Sequence, residues 1–255
     1  MKFKLLDSSK KGIIVLIHGN SSSARVFSKL QLDFKSLLPT LPGHEIESLE
    51  GNSEASFTLK TMKVALLDLI HPYDEPILLV GNSLGGHLAL EIAENVNNLV
   101  GLMIFGAPPV KKPLNLEEAF LQEEDLQIFL TEKPSTMEID LAARTSVFNE
   151  NHAQQISNDF VMTDPRVRST IAADVVAGNW SNQYETFIDL NCQRTIVSGD
   201  QDPITNKNYL RSVVKASGPE SKYIEIMDCG HYPTLEQPDI MSELINEMAQ
   251  NVFIR

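Results

Sequence analysis

Three residues far apart in the chain carry the chemistry that the sequence offers: Ser83, Asp202 and His231. Ser83 lies at the centre of Gly81-Asn82-Ser83-Leu84-Gly85, directly after the apolar run Pro76-Ile77-Leu78-Leu79-Val80 and directly before a helix-like stretch from Gly86 to Glu94. A serine between a strand and a helix, flanked by glycines that let the two come close, has its hydroxyl lifted clear of the sheet. That hydroxyl is a weak nucleophile at neutral pH and requires a base. An imidazole base in turn requires a carboxylate that holds its tautomer and stabilises the imidazolium. Downstream, Thr195-Ile196-Val197-Ser198-Gly199-Asp200-Gln201-Asp202-Pro203 runs from an apolar strand into an acidic turn. Tyr223-Ile224-Glu225-Ile226-Met227-Asp228-Cys229-Gly230-His231 is a strand with a histidine just past its end. All three residues stand beyond the carboxyl ends of strands, where an open α/β sheet gathers its chemistry. The pattern suits transfer of an acyl group to the serine.

Asp200 and Asp202 compete for the role of acid. Asp202 precedes Pro203, which fixes the turn, and is the expected partner of His231; Asp200 is expected to cap or solvate the loop. Asp228 reads as a turn residue. An acyl-transfer site also needs N–H donors for the developing oxyanion. The expected donors are the backbone N–H groups of Leu84, just after the serine, and of Asn20, which follows the strand pattern Gly12 to Ile17 and His18-Gly19. The Asn20 side chain can also reach a substrate oxygen, and asparagine tolerates left-handed backbone. His18 is expected to orient this loop, His44 to be structural, and His87 to pack or cap. The six histidines, at 18, 44, 71, 87, 152 and 231, include no H-x-H or H-E-x-x-H pair, so no metal and no cofactor is implied.

These residues need a scaffold. A chain of 255 residues suits one α/β unit with an insertion and a full core. The net charge of -13 argues against nucleic acid or an anionic membrane as partner. The first residues hold no long apolar stretch of the signal-peptide kind, which leads to the expectation of a cytoplasmic protein with Cys192 and Cys229 reduced and half-buried. Strands are predicted at 3–6, 13–17, 34–38, 76–81, 99–105, 194–198 and 222–227, and helices at 58–71, 84–95, 204–216 and 239–252. Their alternation predicts an α/β fold with a mostly parallel central sheet and helices on both faces. Residues 110–180, broken at Pro113, Lys133-Pro134 and Asp164-Pro165, predict several short helices forming a cap over Ser83, inserted into a core of 1–109 and 181–255. Phe129, Phe148, Phe160 and Trp180 are candidates for an apolar pocket in that cap; such residues also serve as plain cap core.

Taken together, His18-Gly19-Asn20, Leu41-Pro42-Gly43-His44, Gly81-Asn82-Ser83-Leu84-Gly85-Gly86-His87, Gly199-Asp200-Gln201-Asp202-Pro203 and Gly230-His231 resemble the α/β-hydrolase superfamily over nearly the whole chain. The chain order of nucleophile, acid and histidine is that of the superfamily. His18 to Ser23, Ser83 to His87 and Gly101 to Val110 are similar to the metal-independent N-acyl-homoserine lactonases of this fold. Arg166, Gly178 and Asn182-Gln183 resemble that group too. The acid position of that group can hold glutamate, where this chain has Asp202, and Phe129 falls where the resemblance leads one to expect a hydrogen-bonding tyrosine. The resemblance implies a serine hydrolase of carboxylic esters that opens the lactone ring of a small substrate with an apolar tail. Other readings stay open on the same triad: a general carboxylesterase, an enol-lactonase, a carbon–carbon bond hydrolase, or a ligand receptor with slow turnover.

Overall fold

A computed structural model describes residues 1–44 and 57–254. Seven strands form one sheet: β1 (Phe3–Leu6), β2 (Ile13–Ile17), β3 (Lys35–Pro39), β4 (Ile77–Asn82), β5 (Leu99–Phe105), β6 (Gln193–Gly199) and β7 (Ser221–Ile226), in the order β1-β3-β2-β4-β5-β6-β7. Only β1 runs antiparallel, against β3; the other pairs are parallel. The central strands are continuous apolar runs because both faces are covered. Their period of two divides the core. Ile13, Val15, Ile17, Leu79, Leu102 and Ile104 face helices α1 (Leu59–Ile70), α2 (Leu84–Ile92) and α8 (Lys207–Ala216). Ile14, Leu16, Leu78, Val80, Met103 and Phe105 face α10 (Pro238–Phe253), through Met241, Ile245, Met248 and Val252.

The predicted strands and helices all form, with shifts at their ends. Helix α8 starts three residues later than the predicted 204–216, since Asn206 caps it by accepting the N–H groups of Asn208 and Tyr209. The stretch predicted as helix over 84–95 tightens into a 3₁₀ turn at Ala93–Asn95.

Between β5 and β6 lie five helices: α3 (Leu116–Ala119), α4 (Thr136–Thr145), α5 (Ala153–Val161), α6 (Pro165–Val176) and α7 (Gln183–Asp189). Two of the breaks read from the sequence become helix starts. Ser135 and Glu138 form a reciprocal capping box at α4, and Asp164 caps α6 with Pro165 at its first position. α9 (Pro233–Glu236) is a single turn after His231.

Candidate active site

Ser83 forms the apex between β4 and α2, at φ 51° and ψ −121°, a strained conformation for a residue with a side chain. It persists because the surroundings demand it. A Cβ on Gly85 would stand 2.1 Å from the Ile17 carbonyl oxygen, and one on Gly81 would stand 2.4 Å from that of Gly85. The Ser83 N–H is held by the Phe105 carbonyl at 2.8 Å. Although it occupies the N-cap of α2, the Ser83 side chain makes no capping hydrogen bond, so its hydroxyl remains available.

Asp202 and His231 meet from the ends of β6 and β7. His231 Nδ1 donates to Asp202 Oδ1 at 3.0 Å. The same oxygen accepts the Ile204 N–H at 2.9 Å, and Oδ2 accepts the Thr205 hydroxyl at 2.9 Å. Burial by itself would raise the Asp202 carboxyl; the charge and hydrogen bond of His231, with Ile204 and Thr205, outweigh it and hold the acid below its usual range. Asp200 instead accepts the Cys229 N–H at 3.1 Å and stays out of the pair. With Nδ1 committed to Asp202, the bare Nε2 can take a proton; it has no hydrogen-bond partner among the described residues. Gly106 sets the imidazole in place. Its φ is +63°, and a Cβ there would lie 2.4 Å from His231 Cε1. Nothing local in the sequence ties Gly106 to His231, 125 positions away.

Ser83, His231, Asn20 and Leu84 line one cavity of about 320 Å³, a size suited to a small organic ligand. The N–H groups of Asn20 and Leu84 make no hydrogen bond among the described residues. His18 braces their loop. It is fully buried, Nδ1 donates to the Gly19 carbonyl at 2.9 Å, and Nε2 accepts the Leu41 N–H at 3.0 Å. Ser21, rather than Asn20, takes the left-handed backbone conformation, at φ 51°. The Asn20 side chain is occupied as well: its Nδ2 donates to the Phe129 carbonyl at 2.5 Å. Two further bonds tie this loop to the segment above it, Ser23 to Asp159 at 2.8 Å and Arg168 to Ser21 at 3.3 Å.

The aromatic candidates divide. Phe129 and Trp180 line the cavity. Phe160 does not: it packs 5.6 Å from the Phe129 ring, with the Arg168 guanidinium over its own ring. Phe148 is a correction too. It is 49% exposed and borders a surface hollow beside Asp228 and Glu236, because the turn after α4 buries Val147 and sends its neighbour outward. Cys192 and Cys229 are both free, and Cys229 is fully rather than half buried, which pushes its thiol up. Asp228 sits at φ 54°, as expected of a turn residue. His87, expected only to pack or cap, also lines the cavity. Among the described residues, no group of three or more His, Cys, Asp or Glu could hold a metal ion, and no helix is long and apolar enough to cross a membrane.

Three buried histidines make the fold sensitive to acid. Burial pulls His18 and His87 down to about 4 and His44 well below its usual value. The unfolded chain therefore binds more protons between pH 6.5 and about 4. Stability from these groups is complete above pH 6.5 and is lost as the pH falls towards 4. Asp159 and Glu236, raised by burial, act in the opposite sense and reduce the loss. Unfolding near pH 5 is expected to take up protons, so the Tm should fall from pH 7 to 4.5. A Tm that stays level or rises from pH 7 to 4.5 would contradict this.

The comparisons with known proteins agree with this architecture. A family model described as "Alpha/beta hydrolase family" matches residues 14–244. A search of curated proteins finds no significant match. Among solved structures, the N-acyl homoserine lactonase AidH complexed with N-butanoyl homoserine is similar at a TM-score of 0.85 and 22% identity, covering 98% of this chain and 93% of that one. A thermophilic esterase from Thermogutta terrifontis gives 0.78 and 19%, covering 98% and 94%. The esterase RhEst1 from Rhodococcus sp. ECU1013 gives 0.79 and 17%, covering 98% and 94%. At these identities the structural likeness speaks to the fold. With the family model spanning nine-tenths of the sequence, the chain has the α/β-hydrolase fold and belongs to the alpha/beta hydrolase family.

Proposed function

We propose that this protein is a serine hydrolase of carboxylic esters that opens the lactone ring of N-acyl-homoserine lactones. The observation that carries the reading is the meeting of Ser83, the His231–Asp202 pair and two free N–H groups at one end of an apolar cavity. Ser83 Oγ attacks the lactone carbonyl while His231 Nε2 takes its proton. Asp202 stabilises the imidazolium. The N–H groups of Asn20 and Leu84 hold the oxyanion. Collapse breaks the ring C–O bond, with His231 returning the proton to the leaving alkoxide. The acyl-enzyme is then cleaved by water that His231 activates, which releases the open-chain hydroxy acid and the free serine.

The lactone substrate finds support in the likeness to AidH, and the apolar wall of Phe129, Trp180, Leu114, Ile171 and Val175 suits an acyl tail. Residues 110–180 are proposed as the cap that reads this tail. A general carboxylesterase is the second reading, favoured by the esterases of similar fold and by Phe129, which offers no hydroxyl to a polar head group. Acyl-chain length separates the two. Each buried CH₂ contributes about 0.8 kcal/mol, so two methylenes raise kcat/KM by roughly tenfold until the cavity is full. The measurement is kcat/KM over N-acyl-homoserine lactones from about four to twelve carbons, alongside p-nitrophenyl esters. A rising slope that flattens in Phe129→Ala and Trp180→Ala is expected. A flat series in the unmodified protein, or activity confined to the p-nitrophenyl esters, would transfer the case to the carboxylesterase.

A further inference from the structure

One buried polar group in the cavity takes no part in the mechanism above. His87 lies on α2 one turn beyond Ser83, about 6 Å along the helix axis, and is 4% exposed. Its ring stands edge-on to Trp180 at 4.4 Å. Its tautomer follows from a chain of hydrogen bonds that begins at a carboxylate. Glu91 Oε2 accepts from Lys63 Nζ at 2.8 Å. Glu91 Oε1 accepts the Ser181 N–H at 2.7 Å, the Ser181 hydroxyl at 2.8 Å and Gln183 Nε2 at 3.0 Å. Burial alone would raise Glu91, but Lys63, Gln183 and Ser181 outweigh it and hold the acid below its usual range. An ionised carboxylate only accepts, so the Gln183 amide must turn its NH₂ towards Glu91 and its oxygen towards His87. That oxygen lies 2.8 Å from His87 Nδ1. Nδ1 is therefore the protonated nitrogen.

Burial keeps the imidazole neutral at physiological pH. Its other nitrogen, Nε2, is then a bare acceptor. Nε2 makes no hydrogen bond among the described residues and is not sealed by protein atoms; the open side of this residue is the cavity. Of the other polar side chains around the cavity, Asn20 already donates to Phe129, Gln122 and Gln127 are solvent-exposed, Glu123 is half-buried, and the Tyr232 hydroxyl, unlike a bare imidazole nitrogen, can donate as well as accept. A buried acceptor left unpaired when a ligand fills the cavity carries a desolvation penalty, so the cavity discriminates in favour of a ligand with a matching donor.

We propose that His87 is a specificity-determining residue whose Nε2 accepts a hydrogen bond from an N–H carried on the acyl side of the ester, next to the scissile carbonyl, and that the Glu91–Gln183 pair is there to hold it in the accepting tautomer. The class of substrate selected is an ester or lactone of an α-acylamino acid. This rests on the ester-cleaving role of Ser83 proposed above, and it does not depend on the ester being cyclic.

The test uses two isosteric esters with one leaving group, p-nitrophenyl 2-acetamidobutanoate and p-nitrophenyl 2-acetoxybutanoate, which differ by N–H against O. The unmodified protein is expected to prefer the acetamido ester by at least about tenfold in kcat/KM. That ratio should collapse towards one in His87→Phe and in Gln183→Leu, whatever happens to the absolute rates. A ratio near one in the unmodified protein, or one preserved in both variants, would overturn the proposal. If neither variant folds, ¹⁵N NMR of the imidazole decides. In Ser83→Ala protein, His87 should be protonated on Nδ1, and its Nε2 resonance should move with the acetamido ester but not with the acetoxy ester. An Nε2–H tautomer, or no distinction between the two ligands, would also overturn it. Failure of the ester-cleaving reading looks different: the unmodified protein would cleave neither ester.

Discussion

Ser83→Ala is expected to lower turnover on any ester substrate by three orders of magnitude or more, about the loss that removal of a triad nucleophile produces. The protein should stay folded. Alanine keeps the Cβ that Ser83 already carries at φ 51°, and the hydroxyl it removes caps nothing. The Ser83 N–H bond to Phe105 and the close approach of Gly85 to β2 belong to the backbone and remain. A Tm within a few degrees of the unmodified protein, together with intact binding of a long-chain lactone, separates lost chemistry from lost structure. A variant that keeps more than about a tenth of the rate would remove Ser83 from the mechanism. Residual hydrolysis above the water rate is compatible with the proposal, because the Asn20 and Leu84 N–H groups still polarise a bound carbonyl.

Asp202→Asn should be nearly as damaging, lowering kcat by roughly 10⁴-fold. An asparagine in this place can present its NH₂ to His231 and thereby favour the tautomer with its proton on Nε2, where it cannot act as a base. The neighbouring Asp200→Asn is the control. Asp200 accepts the Cys229 N–H and lies outside the Asp202–His231 pair, so its loss should change the rate by no more than about threefold. Steady-state kinetics of the two variants side by side distinguishes the roles of two carboxylates two positions apart. Equal effects from both, or a larger effect from Asp200→Asn, would reassign the acid.

What the sequence by itself determined was set by local constraints. The strands of the sheet announced themselves as short apolar runs, and α1 as the 3.6-residue spacing of Leu59, Met62 and Leu66. The Gly-x-Ser-x-Gly spacing marked a sharp turn because part of its reason is local: a Cβ at Gly81 would stand 2.4 Å from the Gly85 carbonyl oxygen, four residues on. Strand-end positions likewise led to Asp202 and His231, since a parallel sheet brings all its carboxyl ends to one edge.

What only the tertiary structure decided were contacts between residues far apart in the chain. The four aromatic candidates in 110–180, Phe129, Phe148, Phe160 and Trp180, were equivalent in the sequence. Whether each faced the cavity, the cap interior or solvent depended on how short helices rotate against their neighbours, and this separated Phe129 and Trp180 from Phe160 and Phe148. The bond from Asn20 to the Phe129 carbonyl spans 109 positions, and that from Ser23 to Asp159 spans 136. His87 looked like a packing residue because its neighbours in sequence are apolar. Its hydrogen-bond partner, Gln183, lies 96 positions on, and the carboxylate that orients this glutamine is Glu91, one turn along the same helix as His87. Sequence periodicity records which face of an element is apolar, but the protonation of an imidazole is fixed by whichever polar groups the fold brings to its two nitrogens.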